Sequence, residues 1–143
     1  MKDEKDILRR IDEVSELLSL FIELEEKGKF QDALKKIDAT LIKYFDIDSN
    51  SIITISEDLL IDFLQKDKGL SASQMSSLVD VLHETGNILM KQNNLKVSKS
   101  VLKNTLKLYY FLNEEQDFFS FKNMNKIVLI NEKLAKINFK IQS

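Results

Sequence analysis

Residues Leu17–Leu41 read LLSLFIELEEKGKFQDALKKIDATL, and the pattern within them decides the fold class. Leu17, Leu18, Phe21 and Leu24 recur at spacings of three and four, which puts them on one face of a helix. The pattern stops at Gly28, a residue that takes the left-handed conformation of a helix end without steric penalty. Phe30 follows, and a second periodic run begins with Ala33, Leu34, Ile37 and Leu41. The stretch predicts two antiparallel helices joined by a very short turn, with a small residue, Ala33, where their axes come close.

Working outward, the first helix is expected from about Asp3 to Lys27 and the second from about Phe30 to Tyr44. Phe45 through Ile55 lacks clean periodicity and reads as the longest connection in the chain. Ser56 resembles an N-cap with Glu57 and Asp58 behind it, opening a short helix to about Lys66. Lys68-Gly69 ends that helix. Ser71 and Gln74 have the spacing of a capping box, so a fourth helix is expected from about Ala72 to Lys91. Asn93-Asn94 makes the next turn, and Leu95 to Leu112 a fifth helix. Asn113-Glu114-Glu115-Gln116 repeats the capping-box spacing and predicts a last helix from about Glu115 to Ile141, with a bend near Asn123-Met124-Asn125. The expectation is one all-α domain over residues 1–143, of about six helices.

A shift of 65 positions brings out an internal repeat. Gly28 falls on Asn93, Phe30 on Leu95, Ala33 on Ser98, Ile37 on Leu102 and Thr40 on Thr105; before the turn, Phe21 falls on Gly86 and Leu24 on Leu89. A turn residue, an apolar one, a small one and then a large apolar one resemble the tetratricopeptide pattern of helical repeats. Leu17 and Phe21 depart from it, since the family has Trp and Gly there, and no proline closes either unit. On this resemblance the chain is built of tetratricopeptide-like hairpins, with the C-terminal helix as a cap. Glu26-Lys27-Gly28-Lys29-Phe30-Gln31-Asp32-Ala33-Leu34, with the later Phe45-Asp46-Ile47-Asp48, is also similar to segments of a family of small bacterial helical proteins. That resemblance implies a fold and a bacterial source, and no activity.

The composition agrees with helices. Proline and cysteine are absent and glycine occurs three times, too rarely for strand-rich or linker-rich chains. Without cysteine there is no disulfide, thiol nucleophile or cysteine metal site. No run approaches the ~18 apolar residues of a membrane span, and the mixed-charge N-terminus does not read as a secretory signal, so a cytoplasmic protein with no membrane partner is expected. Charge is uneven: 11 basic and 19 acidic residues up to Met90, −8, against 10 and 4 after it, +6. Such asymmetry can support a homo-oligomer in which the acidic N-terminal half meets the basic C-terminal half.

Little in the chain points to chemistry. His83 is the single histidine; its nearest acids are Asp80, three before, and the adjacent Glu84, a poor transition-metal set, so it reads as a helix-surface or edge residue. Asp46-Ile47-Asp48-Ser49-Asn50 opens like a calcium loop and Glu57 falls at its twelfth position, but Ser51 stands where the loop needs Gly and three isoleucines follow. It reads as a turn before a capped helix. There is no phosphate-binding glycine loop and no nucleophile beside a base, so no enzyme, cofactor or metal is expected. Lys96, Lys99, Lys103 and Lys107 share one face of the fifth helix; Lys122, Lys126, Lys133 and Lys140 share one face of the last. These read first as solvated surface, and nucleic acid is not the expected partner because arginine forks and stacking aromatics are missing there. Tyr109, Tyr110, Phe111, Phe118, Phe119 and Phe121 crowd one corner and are mostly core, with Tyr110 and Phe119 expected to be exposed.

The functional expectation is therefore a non-catalytic protein-interaction or scaffolding module that takes an unidentified protein or peptide, with Tyr110, Phe119, Lys103 and Lys107 as candidate partner-binding residues. The alternative is an accessory protein that binds nucleic acid or another acidic polymer through the lysine faces.

Overall fold

The computed structural model describes residues 4–115 and 120–142, and every regular element among them is helical. Seven helices follow one another: α1 Glu4–Glu26, α2 Phe30–Phe45, α3 Ser49–Thr54, α4 Glu57–Asp62, α5 Ala72–Lys91, α6 Leu95–Glu114 and α7 Phe121–Gln142. α4 runs on into one wider, π-helical turn, Phe63–Asp67, which keeps Leu60 and Leu64 on the same buried side.

α5 is the centre. It packs against α6, α1 and α2, and eleven of its residues are buried, from Met75 to Leu89. Its start is the expected capping box: Gln74 N donates to Ser71 Oγ at 3.2 Å and Ser71 N to Gln74 Oε1 at 2.9 Å. α7 lies along α6, and α3 and α4 pack on the same helix.

The two hairpins α1–α2 and α5–α6 match through their turns. After α1, Lys29 N donates to Leu24 O at 2.8 Å and Gly28 N to Glu25 O at 3.0 Å; after α5, Asn94 N donates to Leu89 O at 2.9 Å and Asn93 N to Met90 O at 3.0 Å. These are the paired bonds of a Schellman ending. Gly28 (φ 74°) and Asn93 (φ 63°) supply the left-handed residue in each. Inside the second helix of each pair the small residue is fully buried, Ala33 in one and Ser98 in the other. Thr40 Oγ1 and Thr105 Oγ1 each bond the carbonyl four residues back, at 2.7 Å.

Three boundaries differ from the sequence reading. The stretch read as one long connection contains α3, capped by Asp48, whose Oδ1 accepts from Ser51 N at 2.8 Å. The isoleucines that spoiled its periodicity are core, since Ile47 and Ile52 are buried. α3 is tied to α6 by Asn104, whose buried amide donates to Ile52 O at 3.0 Å. α6 runs on to Glu114, so Asn113 and Glu114 end a helix and do not begin one; Gln116 lies outside the described residues. α7 begins at Phe121, after Ser120, whose Oγ accepts from Asn123 N at 3.0 Å. It is one continuous helix through Asn123-Met124-Asn125.

Candidate interaction surface

α7 is apolar on two faces. Ile127, Ile130 and Ile137 are buried, with Leu134 beside them. On the other side Phe121, Met124, Val128 and Phe139 recur at spacings of three, four and eleven, which is one helical face. They are exposed, Val128 to 54% and Phe121 to 80%. Large apolar side chains scattered singly are ordinary on a surface; a stripe along one helix is not. Lys122, Lys136 and Lys140 are exposed around the stripe, and Glu132 is the only acidic residue in the helix.

The other lysines of α7 face inward, contrary to the reading of one solvated lysine face. Lys126 Nζ donates to Asp80 Oδ1 at 2.7 Å, and Tyr109 Oη donates to the same oxygen at 2.7 Å. Lys133 Nζ stands 2.9 Å from His83 Nε2, where the charged amine donates to the neutral ring. His83 is thus buried, not a surface residue, because α7 covers this side of α5 and Tyr109 meets its ring edge-on at 6.2 Å between centroids. Burial, then the Lys133 and Lys126 charges, lower its pKa to about 4.

Asp80, Glu84, Asn87 and Lys91 continue this polar stripe along α5 at spacings of three and four. Glu84 is buried and, among the described residues, its Oε2 has no hydrogen-bond partner; burial, then the nearby Glu25, push its pKa up to about 7. Lys91 Nζ bonds Glu25 Oε2 on α1 at 2.8 Å. Burial lowers Lys133 and raises Tyr109 from their ordinary values. The seam holds α7 and α1 to α5 by charge.

Of the candidate residues, Tyr110 is exposed and lies on one face of α6 with Lys103 and Lys107, which are also exposed. Lys103 borders a groove of about 410 Å³ together with Lys96 and Lys99, and its Nζ lies 3.9 Å from Glu57 Oε1. Phe119 lies outside the described residues, as does Phe118. Tyr109 is core as expected, while Phe121, expected in the same corner, is exposed.

The calcium-like stretch does not gather its acids. Asp46 ends α2 in the left-handed conformation, Asp48 caps α3 and Glu57 faces Lys103. Among the described residues no group of three or more acidic or histidine side chains is placed to hold a metal ion. No described helix is long and apolar enough to cross a membrane.

The outward stripe of α7 was missed as a site, although its signal is present. Phe121, Met124, Ile127, Val128, Ile130, Leu134, Ile137 and Phe139 are too many apolar residues for one face of a single helix. No family model matches the chain, and no curated protein and no solved structure matches it either.

Proposed function

We propose that this chain is a non-catalytic, tetratricopeptide-like interaction module of the cytoplasm, and that its docking surface is the outward face of α7. One observation carries the reading: α7 already buries one apolar face, and Met124 and Val128 belong to a second that is exposed. The partner that fits is an acidic amphipathic helix. Its apolar stripe would lie on Met124 and Val128, and its carboxylates would meet Lys122, Lys136 and Lys140. Two α7 faces from two copies would set lysine against lysine, so a second copy fits only through its acidic α1.

The test is fluorescence anisotropy with a labelled Leu/Glu heptad peptide, and a Leu/Lys peptide of the same pattern beside it. The acidic peptide should bind saturably and the basic one should not. Val128→Asp should weaken binding about tenfold or more, as loss of a central apolar anchor does, while the thermal melt stays unchanged. Equal binding by Val128→Asp, or no binding by wild type, sinks the proposal.

A second reading rests on the groove lined by Lys96, Lys99 and Lys103. A nucleic acid or other acidic polymer held there would bind best at low salt and lose affinity in Lys99→Gln.

A further inference from the structure

A second feature lies away from α6 and α7. The end of α2, the start of α1 and the segment before α5 enclose a cleft of about 340 Å³. Three cations line it, Arg10, Lys43 and Lys68, against one carboxylate, Asp46, among the described residues that border it. Asp46 is itself 93% exposed and takes Lys68 at 3.6 Å, so it offsets one charge of the three.

The cations are held in place by the walls. Arg10 Nη2 donates to Lys43 O at 2.6 Å, and its guanidinium carbon lies 4.9 Å from the centre of the Tyr44 ring. Lys43 Nζ lies 5.2 Å from the same ring, whose hydroxyl is fixed by Glu13 at 2.7 Å. Lys68 Nζ lies over Phe63 at 5.6 Å. Arg10 Nε is buried and, among the described residues, has no acceptor. The start of α5 contributes no free end here, because Ser71 and Gln74 close it reciprocally.

We infer that this cleft binds a small phosphorylated organic molecule, with its phosphate among Arg10, Lys43 and Lys68 and its organic part against Tyr44, Ile7 and Leu70. The net excess of two positive charges in the lining matches a phosphate monoester, which carries about −1.5 to −2 near neutral pH. The guanidinium fork suits phosphate oxygens. The volume is that of a small-ligand site, in a range of roughly 300–1,000 Å³.

Calorimetric titration of the full chain with phenyl phosphate tests it, with benzoate and heparin as companions. Phenyl phosphate should bind saturably at one site, and benzoate at least about tenfold more weakly, the loss expected when a charge-assisted bond is removed. Lys68→Gln should lose about tenfold or more in affinity. Arg10→Gln should lose more but can loosen α1 from α2, so Lys68→Gln is the deciding variant, and Lys35→Gln on the outer face of α2 should change nothing. The proposal is overturned if phenyl phosphate does not saturate, if Lys35→Gln and Lys68→Gln lose equally, or if only heparin binds, since those outcomes describe a diffuse positive field.

Discussion

In the α1–α2 hairpin a whole phenylalanine, Phe21, is fully buried at the position that Gly86 holds in the α5–α6 hairpin. At Gly86 there is no room for even a methyl group: a Cβ there would meet Leu102 Cδ2 at 2.4 Å. The turns that join the two pairs nonetheless share their bonds and their left-handed residue. The difference separates two levels of control. The turn is set by a few local backbone bonds, whereas the distance between paired helices is set by the side chain at their crossing. In the tighter pair, contact is close enough for Ser98 Oγ to bond Gly86 O at 2.8 Å.

The largest effects should come from that crossing. Phe21→Ala leaves a cavity and should lower unfolding free energy by about 3–5 kcal/mol. Gly86→Ala should lower it by less, on the order of 1–2 kcal/mol, because overpacking is partly offset by better helix propensity. Denaturant titration measures both. The Gly86→Ala loss should shrink in a Leu102→Val background, and strict additivity of the two changes would show that the close approach does not govern this pair.

A middle-sized effect should appear with pH, again in the second hairpin, where α5 carries His83 and Glu84. The His83 pKa is lowered from 6.5 to about 4 on folding, so the unfolded chain binds the extra proton between those values. Stability from this group therefore rises with pH from about 4 to 6.5. The Glu84 pKa is raised from 4.5 to about 7, so the folded chain holds the proton and stability falls as pH rises through that window. His83→Gln should flatten the acid side of the stability profile, and Glu84→Gln should stabilise the protein more at pH 8 than at pH 4.5. Parallel profiles for wild type and both variants would mean that these groups are not desolvated.

The smallest effects belong to the turns. Gly28→Ala should cost about 1 kcal/mol, all from backbone strain, since among the described residues nothing beyond its chain neighbours lies within 4 Å of the added carbon. Asn93→Gly should stabilise by a few tenths of a kcal/mol. Equal responses at the two positions would break the equivalence of the turns.

What was legible in the sequence follows the same division. Helix periodicity, the Ser71–Gln74 box and the two matching turns are local, and each stands where the residues place it. α3 was hidden because Ile52 within it and Ile47 just before it are apolar for the sake of a shared core, not for the period of a helix. His83 reads as surface, and Glu84 carries no signal of its own, because α5 looks amphipathic alone; their burial depends on α7 and α1, which arrive from both sides of the chain. Tyr110, Lys103 and Lys107 are exposed as expected, yet of the stripe through Met124 and Val128 the sequence reading weighs only Phe121 for burial, as part of an aromatic corner expected to be mostly core. A helix's own pattern shows that it has two apolar faces, and not which of them another helix will cover.

α5 lies midway along the chain and is walled by elements made before it and after it. During synthesis at roughly 5–20 residues per second, α1 and α2 wait several seconds for it. The first hairpin emerges before α5 is made, and α6 and α7 must still be added before the charged side of α5 is closed. The timing of burial along the ribosome is thus written into the position of one helix.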